Sequence, residues 1–248
     1  LKQTLNQAKD ELAKTDELRR DLMANVSHDL KTPLTMIKAY AEMVRDITYK
    51  DKEKREENLN VIIDETDRLN LLVSDILTLS SVESNVGNLK MEEFDLTELI
   101  NTIIKRFQIL EITENYHFIW KQKKPILVHA DKQKIEQVIY NLMTNAINYT
   151  GDDNKIYIDV EEQENGIKVS VRDTGKGIKE SDLKHIWDKY YKSEKKHKRN
   201  MVGTGLGLSI VKNILKAHHF EYGVSSIQNK GTTFYFIITN QTKKESEK

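Results

Sequence analysis

The first 85 residues contain no glycine and one proline, Pro33. A stretch that long, nearly free of the two residues that most readily end a helix, is predicted to be helical almost throughout. Its apolar residues agree. Leu22, Val26, Leu30, Leu34, Ile37, Ala41 and Val44 recur at steps of three and four, as do Leu59, Ile62, Thr66, Leu69, Val73 and Ile76, so each set lines one helix face. The charged run Tyr49–Arg55 between them is expected to hold a turn. The result is an antiparallel helical hairpin over residues 21–86. One hairpin cannot bury both stripes, and pairing two copies into a four-helix bundle is the natural solution. Residues 1–20, polar with Leu5 and Leu12 a heptad apart, read as a coiled-coil lead-in.

Composition changes after Ser84. Asp95 is expected to cap a helix over Leu96–Gln108. Tyr116–Lys121 and Ile126–His129 read as strands, Lys132–Tyr149 as a helix, and Ile156–Glu162 with Ile167–Arg172 as a hairpin around Asn165-Gly166. Beyond a glycine-rich region at 173–207, Leu208–His219 returns to helix, with His218-His219 as its polar end. Val224–Gln228 and Thr232–Ile238 form a last hairpin. The expected fold is multidomain, α plus α/β: a helical bundle, then a mixed sheet with helices on one face over 87–240. A frayed polar tail is expected at 241–248.

Bulk properties exclude several functions. Lys+Arg and Asp+Glu both number 39, so no net charge directs the chain to nucleic acid or an anionic membrane. There is no cysteine, which removes disulfides, thiolate metal sites and cysteine catalysis. No apolar run approaches the roughly 18 residues of a membrane span. The sequence opens Leu1-Lys2-Gln3-Thr4 without Met and reads as a fragment of a longer protein.

His28 lies in Ser27-His28-Asp29-Leu30-Lys31-Thr32-Pro33-Leu34. It sits roughly 200° around the helix from both Val26 and Leu30, so it points away from the apolar stripe. An exposed imidazole is free to act as a nucleophile. Asp29 is positioned to take a hydrogen bond from one ring nitrogen, leaving the other to attack. Thr32 shares His28's face. Pro33 removes the bond to residue 29 and should bend or loosen the helix.

Four segments downstream carry polar or glycine-rich patterns. Asn141, Asn145 and Asn148 are four and three residues apart on one helix face; a row of amides suits a polar ligand, and amide oxygens suit Mg²⁺. Asp173-Thr174-Gly175-Lys176-Gly177 follows a strand, where a carboxylate can accept from an exocyclic amine. Gly203-Thr204-Gly205-Leu206-Gly207-Leu208 opens a helix, whose free N–H groups attract phosphate. Gly231-Thr232 lies in the last hairpin and is uninformative by itself.

In order and spacing these segments resemble the boxes of the sensor histidine kinases. The octet around His28 matches their H-box at every position. The asparagine row, the Asp173 loop, the Gly203 loop and Gly231-Thr232 resemble the N, G1, G2 and G3 boxes. Ile186-Trp187-Asp188-Lys189-Tyr190-Tyr191-Lys192 resembles the F-box. The resemblance covers residues 20–240 and implies a dimeric four-helix bundle followed by an α/β sandwich of the Bergerat type. It implies ATP and Mg²⁺ as cofactors, autophosphorylation of His28, transfer to an aspartate of a response-regulator receiver domain, and phosphatase activity through Asp29 and Thr32. It implies the cytoplasmic portion of a bacterial membrane sensor, tied to the membrane only through segments preceding residue 1.

Carried over by position, Asp173 reads the adenine amino group, and Gly175 and Gly177 line its pocket. Asn141 and Asn145 hold Mg²⁺ and phosphates. Gly203, Gly205 and Gly207 sit at the phosphate end of a lid over 189–207. Asn148, Tyr149, Lys192, Leu206 and Thr232 complete the nucleotide set. Asn148 replaces a frequent Lys, Lys192 a frequent Arg, and Trp187 and Tyr190 two Phe. Water-splitting relatives of the gyrase and chaperone type carry a Glu at the position of Asn141. An amide is no general base, so transfer is favoured over hydrolysis. A catalytically silent dimeric scaffold is the other alternative.

Overall fold

The computed structural model describes residues 26–27, 29–84, 89–109, 113–188 and 206–239. The chain divides into two compact units, Leu1–Ile76 and Leu77–Lys248.

The first unit holds helix α1 (29–46) and the start of α2 (Lys52–Ser84). Helix α1 continues through Pro33, whose ring is buried, so the expected loosening does not interrupt it. The turn is shorter than the charged run implied. It occupies 47–51, and Lys52–Arg55 already belong to α2. Their charges serve the helix start instead. Asp51 Oδ1 accepts from the Lys54 N–H at 3.2 Å, and the Arg55 guanidinium donates to the Tyr49 carbonyl at 3.0 Å. Beneath them the buried Asn58 amide donates to the buried Thr48 hydroxyl at 3.1 Å, which donates to the Met43 carbonyl at 3.2 Å.

The two apolar stripes do not both turn inward. Ile62, Leu69 and Ile76 are half-buried and Leu72 is buried. Leu59, Ile63 and Val73, on the neighbouring face of α2, remain exposed, as do Leu34 and Ala41 on α1. Leu34 is 52% exposed and Ile63 56%, values that mark a surface the hairpin cannot cover itself. Among the described residues no helix is long and apolar enough to cross a membrane.

The second unit is built on a mixed five-stranded sheet. Its strands are β2 (His117–Trp120), β4 (Lys155–Gln163), β5 (Gly166–Asp173), β6 (Glu221–Ile227) and β7 (Gly231–Thr239), in the order β2-β4-β5-β7-β6. Only β2 and β4 run parallel. Alternation decides which face is covered. Ile156 and Ile158, then Ile167, Val169 and Val171, then Phe234, Phe236 and Ile238 are buried and in register on one face. The opposite face carries Arg172 over the Tyr157 ring and Lys168 over Tyr235.

Three helices supply the apolar layer: α3 (Leu96–Ile109), α4 (Lys132–Tyr149) and α6 (Gly207–Ala217). Asp95 begins α3 as expected, its Oδ1 accepting from the Thr97 N–H at 2.8 Å. Two elements escape the sequence reading. Strand β1 (Met91–Asp95) pairs antiparallel with β3 (Leu127–Asp131), and α5 (Glu180–Leu183) is a single turn. β1 has one buried apolar residue, Phe94, too few to produce an alternating pattern.

His218 corrects an expectation. It is no solvated helix end: it is 2% exposed, and burial lowers its pKa. Its Nδ1–H donates to the Ile214 carbonyl at 2.8 Å and its Nε2 accepts from the Asp131 N–H at 3.1 Å. These partners fix a neutral imidazole in one tautomer. Asp131 in turn caps α4, accepting from the Lys134 N–H at 3.1 Å, and receives the Lys90 N–H at 2.9 Å. His218→Leu would orphan the Asp131 N–H and lose the second bond, at about 2 kcal/mol. Both tryptophans, Trp120 and Trp187, lie in this unit. Their fluorescence during urea unfolding should show a lower midpoint for the variant at pH 7.5.

Candidate functional site

Four segments meet at one end of the second unit: the α4 face, the loop after β5, the start of α6 and the start of β7. Asn141, Asn145 and Asn148 lie half-buried on α4, opposite its apolar face of Ile135, Val138, Ile139, Leu142, Met143, Ala146 and Ile147. Tyr149, the last residue of α4, is exposed.

Asp173 ends β5 and is 4% exposed. Its Oδ1 accepts from the Gly175 N–H at 2.8 Å and the Thr232 N–H at 3.2 Å. Burial pushes the carboxyl up to about 6, against the lowering effect of those two bonds. Thr232 is itself buried.

The glycines here are required by the chain's own backbone as much as by any ligand. A Cβ on Gly175 would stand 1.7 Å from the Tyr149 carbonyl oxygen, and one on Gly231 would stand 2.0 Å from that of Asp173. Gly231 also has φ +103 and Gly177 φ +66. The loop is pinned on a second side, where Thr150 Oγ1 lies 3.0 Å from Thr174 Oγ1, and Thr174 donates to Asp153. These contacts set Tyr149 beside the Asp173 loop.

Gly207 is the first residue of α6, and Leu206 before it is buried. A Cβ on Gly207 would meet Asn141 Oδ1 at 3.2 Å, so the α6 N-terminus stands directly against the asparagine row. Glu136 faces elsewhere, paired with Arg106 of α3, which disqualifies it as a base beside Asn141. Trp187 of the aromatic box packs edge-on against Tyr222 at 5.0 Å and Phe234 at 5.6 Å. Asp29 is half-buried and Thr32 exposed on α1, in the first unit. His28, Lys192, Gly203 and Gly205 lie outside the described residues, as do Lys189 and Tyr190.

The donor set can be tested against Mg²⁺. Among the described residues no group of three His, Cys, Asp or Glu could hold a metal ion. Asn141 and Asn145 offer neutral amide oxygens only, which suit a hard cation that takes most of its ligands from phosphate and water. The residues present therefore fit Mg²⁺ as a hard cation completed by other oxygen ligands. Among the described residues the Thr144 hydroxyl, next to Asn145, is buried without a hydrogen-bond partner.

Sequence reasoning missed Ser226. Its Oγ accepts from the Ile178 N–H at 2.8 Å and contacts Gly231 and Thr232. The signal was available: Ser226 follows Tyr222 and Val224 on the covered phase of β6, where an apolar residue is expected.

Known proteins resemble this chain in sequence and fold. The model for the histidine kinase-, DNA gyrase B-, and HSP90-like ATPases matches residues 130–242, and that for the His Kinase A (phospho-acceptor) domain matches 18–85. Sensor histidine kinase WalK of Bacillus subtilis strain 168 is 34% identical over 242 residues, covering 96% of this chain and 39% of the relative. A WalK of Staphylococcus aureus is 34% identical over 89% of this chain and 53% of its own length. The chain thus spans about two fifths to half of these relatives. Among solved structures, histidine kinase ThkA in complex with response regulator protein TrrA superposes with TM-score 0.70 at 28% identity, over 94% of this chain and 68% of that one. The catalytic domain of ThkA is 31% identical with TM-score 0.53, over 61% of this chain and 96% of that one.

Asp173 yields a stability prediction. Its folded pKa of about 6 stands above the unfolded 3.8, so the folded state binds protons more tightly. The ionised carboxylate therefore destabilises the fold at neutral pH, by on the order of 2 kcal/mol, and the penalty fades as pH falls below about 6. Asp173→Asn keeps an oxygen for Gly175 and Thr232 without the charge. The variant should melt a few degrees above wild type at pH 7.5, and calorimetric scans should find the gap closed near pH 4.

Proposed function

The chain belongs to the sensor histidine kinases, and from that premise we propose that it transfers the γ-phosphoryl group of ATP to its own His28 and then to an aspartate of a response-regulator receiver domain. One observation carries the reading. A buried carboxylate, Asp173, and an α6 N-terminus set against Asn141 stand at one end of a sheet, in a chain whose residues 18–85 match a phospho-acceptor domain. That pairs a nucleotide site with an acceptor histidine. The working domain limits are 21–86 for the bundle and 87–240 for the ATP-binding domain.

Asp173, its Oδ1 held by the Gly175 and Thr232 N–H groups, accepts from the adenine amino group through Oδ2. Asn141, Asn145 and the α6 N-terminus face the phosphates, with Lys192, Gly203 and Gly205 from the lid. Asn148, Tyr149, Gly177 and Leu206 complete the pocket walls. Mg²⁺, when bound with the nucleotide, neutralises phosphate charge. Neutral His28 attacks the γ-phosphorus: an N–P bond forms, the bond to the ADP oxygen breaks, and the imidazole releases its proton. Asp29 orients the ring and stabilises its developing positive charge. Asn141 carries no carboxylate to activate water, which suits transfer over hydrolysis. The N–P bond is reactive enough to pass its phosphoryl group to a carboxylate. ThkA, a structural neighbour, was solved with a response regulator, which supports that partner. Asp29 and Thr32, one turn apart, also suit a water-directing phosphatase role on the same regulator.

The exposed stripe of Leu34, Ala41, Leu59, Ile63 and Val73 is taken as the homodimer face. Burying one large aliphatic side chain fully contributes about 1.5–3 kcal/mol, enough in sum for a second copy to complete the bundle. Ile63→Glu should therefore shift the chain to monomer in analytical ultracentrifugation. An unaltered dimer would sink this assignment.

Incubation with γ-labelled ATP and Mg²⁺ tests the chemistry. Wild type should gain acid-labile label, His28→Gln none, and Asp173→Asn none despite its stable fold. Label persisting in His28→Gln would move the acceptor elsewhere. Nucleotide binding without label in wild type would favour the silent scaffold.

A further inference from the structure

Ser226 makes three polar contacts, and their chemistry assigns every proton. Its Oγ lies 2.8 Å from the Ile178 nitrogen, 3.1 Å from the Gly231 carbonyl oxygen and 3.0 Å from Thr232 Oγ1. A hydroxyl offers one proton and two lone pairs. The Gly231 carbonyl can only accept, so it takes the Ser226 proton. The Ile178 amide can only donate, so it occupies one lone pair. What remains for Thr232 is the second lone pair, and Thr232 must be the donor. Its single proton is spent on Ser226, so the Thr232 hydroxyl can offer a ligand lone pairs only.

That polarity is held firmly. The loop presenting Ile178 is tied to the β6–β7 turn by the Asn229 N–H, which donates to the Lys176 carbonyl at 2.8 Å. Gly177 makes its turn there in the left-handed region, where a Cβ would stand 2.3 Å from the Ile227 carbonyl oxygen. Thr232 is 4% exposed, and its own N–H holds Asp173 Oδ1. An acceptor-only hydroxyl and an acceptor-only carboxylate thus belong to residues joined directly through the Thr232 N–H.

We propose that Ser226 is a positioning residue that sets the base selectivity of the nucleotide site by fixing the Thr232 hydroxyl as an acceptor. The inference rests on the nucleotide reading above and adds to it. A wall of acceptors takes a base whose facing group donates, as the exocyclic amine of adenine does. It rejects one whose facing group accepts, as the O6 carbonyl of guanine does, because two acceptors meet with no proton between them. Without the Ser226 oxygen, Thr232 can turn its proton outward and receive guanine.

The test is equilibrium binding of ADP and of GDP, with Mg²⁺, to the full chain by titration calorimetry. In Ser226→Ala the ratio of the GDP to the ADP dissociation constant should fall about tenfold from wild type, as expected when one hydrogen bond changes polarity. Ser226→Thr, which keeps the hydroxyl, should retain the wild-type ratio. Thr232→Val removes the acceptor and should lower the ratio on its own, which keeps the question answerable if Ser226→Ala does not fold. Equal weakening of both nucleotides in Ser226→Ala would reduce Ser226 to scaffolding and overturn the proposal, as would an unchanged ratio in Thr232→Val. A wild type that binds neither nucleotide overturns the nucleotide reading and this inference together. A wild type that prefers ADP, beside an Ser226→Ala that prefers it as strongly, overturns the inference alone.

Discussion

A carboxylate at the end of an apolar strand is the constraint around which the second unit is arranged. Asp173 follows Val169 and Val171 on the covered phase of β5, where a charge is costly to bury unless donors meet it. Two backbone N–H groups do so, from Gly175 two residues on and Thr232 fifty-nine residues on. Satisfying one oxygen in this way brings the start of β7 against the β5 loop. That closeness forbids a side chain at Gly231, and the packing of the loop on the α4 end forbids one at Gly175. The glycine pattern is thus a consequence of holding one buried charge.

The helical layer is fixed by a second polar junction at the far end of α6. Its N-terminus stands against Asn141, midway along α4. Its C-terminus is held by His218, which bonds the Asp131 N–H where α4 begins. Helices α4 and α6 are therefore tied at two separated points, and the asparagine row cannot slide relative to the first turn of α6. Asp131 also receives the Lys90 N–H, so the chain's entry into β1 is set by the same residue. Apolar packing alone fixes helix positions less tightly than such directional bonds do.

Periodicity carried most of the fold. The α4 boundaries read from the pattern, Lys132–Tyr149, are those observed, because an N-capping Asp131 and a sharp turn at Gly151 bracket an uninterrupted apolar face. The strands around Asn165-Gly166 follow for the same reason. What escaped depended on tertiary context. β1 has too little apolar content to register. His218 looked like a solvated end because nothing local marks a histidine that accepts from an amide eighty-seven residues away. The α2 stripe forms one face by its spacing alone, whereas Leu59 and Val73 are exposed and Ile62 and Leu69 turn inward; a step of three followed by four spans a wide arc, and only the partner helix decides where it divides. Of the site, the residues with side-chain chemistry were legible from family resemblance. Ser226 was not, since its part is to orient another hydroxyl.

Both units carry a feature that disfavours the isolated chain and would be relieved by what they are proposed to bind. The hairpin leaves Leu34, Leu59, Ile63 and Val73 in water, and the proposed second copy would remove them from it. The sheet domain keeps Asp173 ionised at neutral pH although burial raises its pKa to about 6, and a donor on the ligand would favour that charge. Replacing these groups with better-behaved ones would stabilise each unit alone while removing what selects its partner. Because binding to the folded state adds to its stability in proportion to ligand concentration and affinity, a chain built this way is most stable when assembled and loaded. Its folding equilibrium would then be coupled to the proposed dimerisation and nucleotide binding, the two conditions under which the proposed phosphoryl transfer to His28 would proceed.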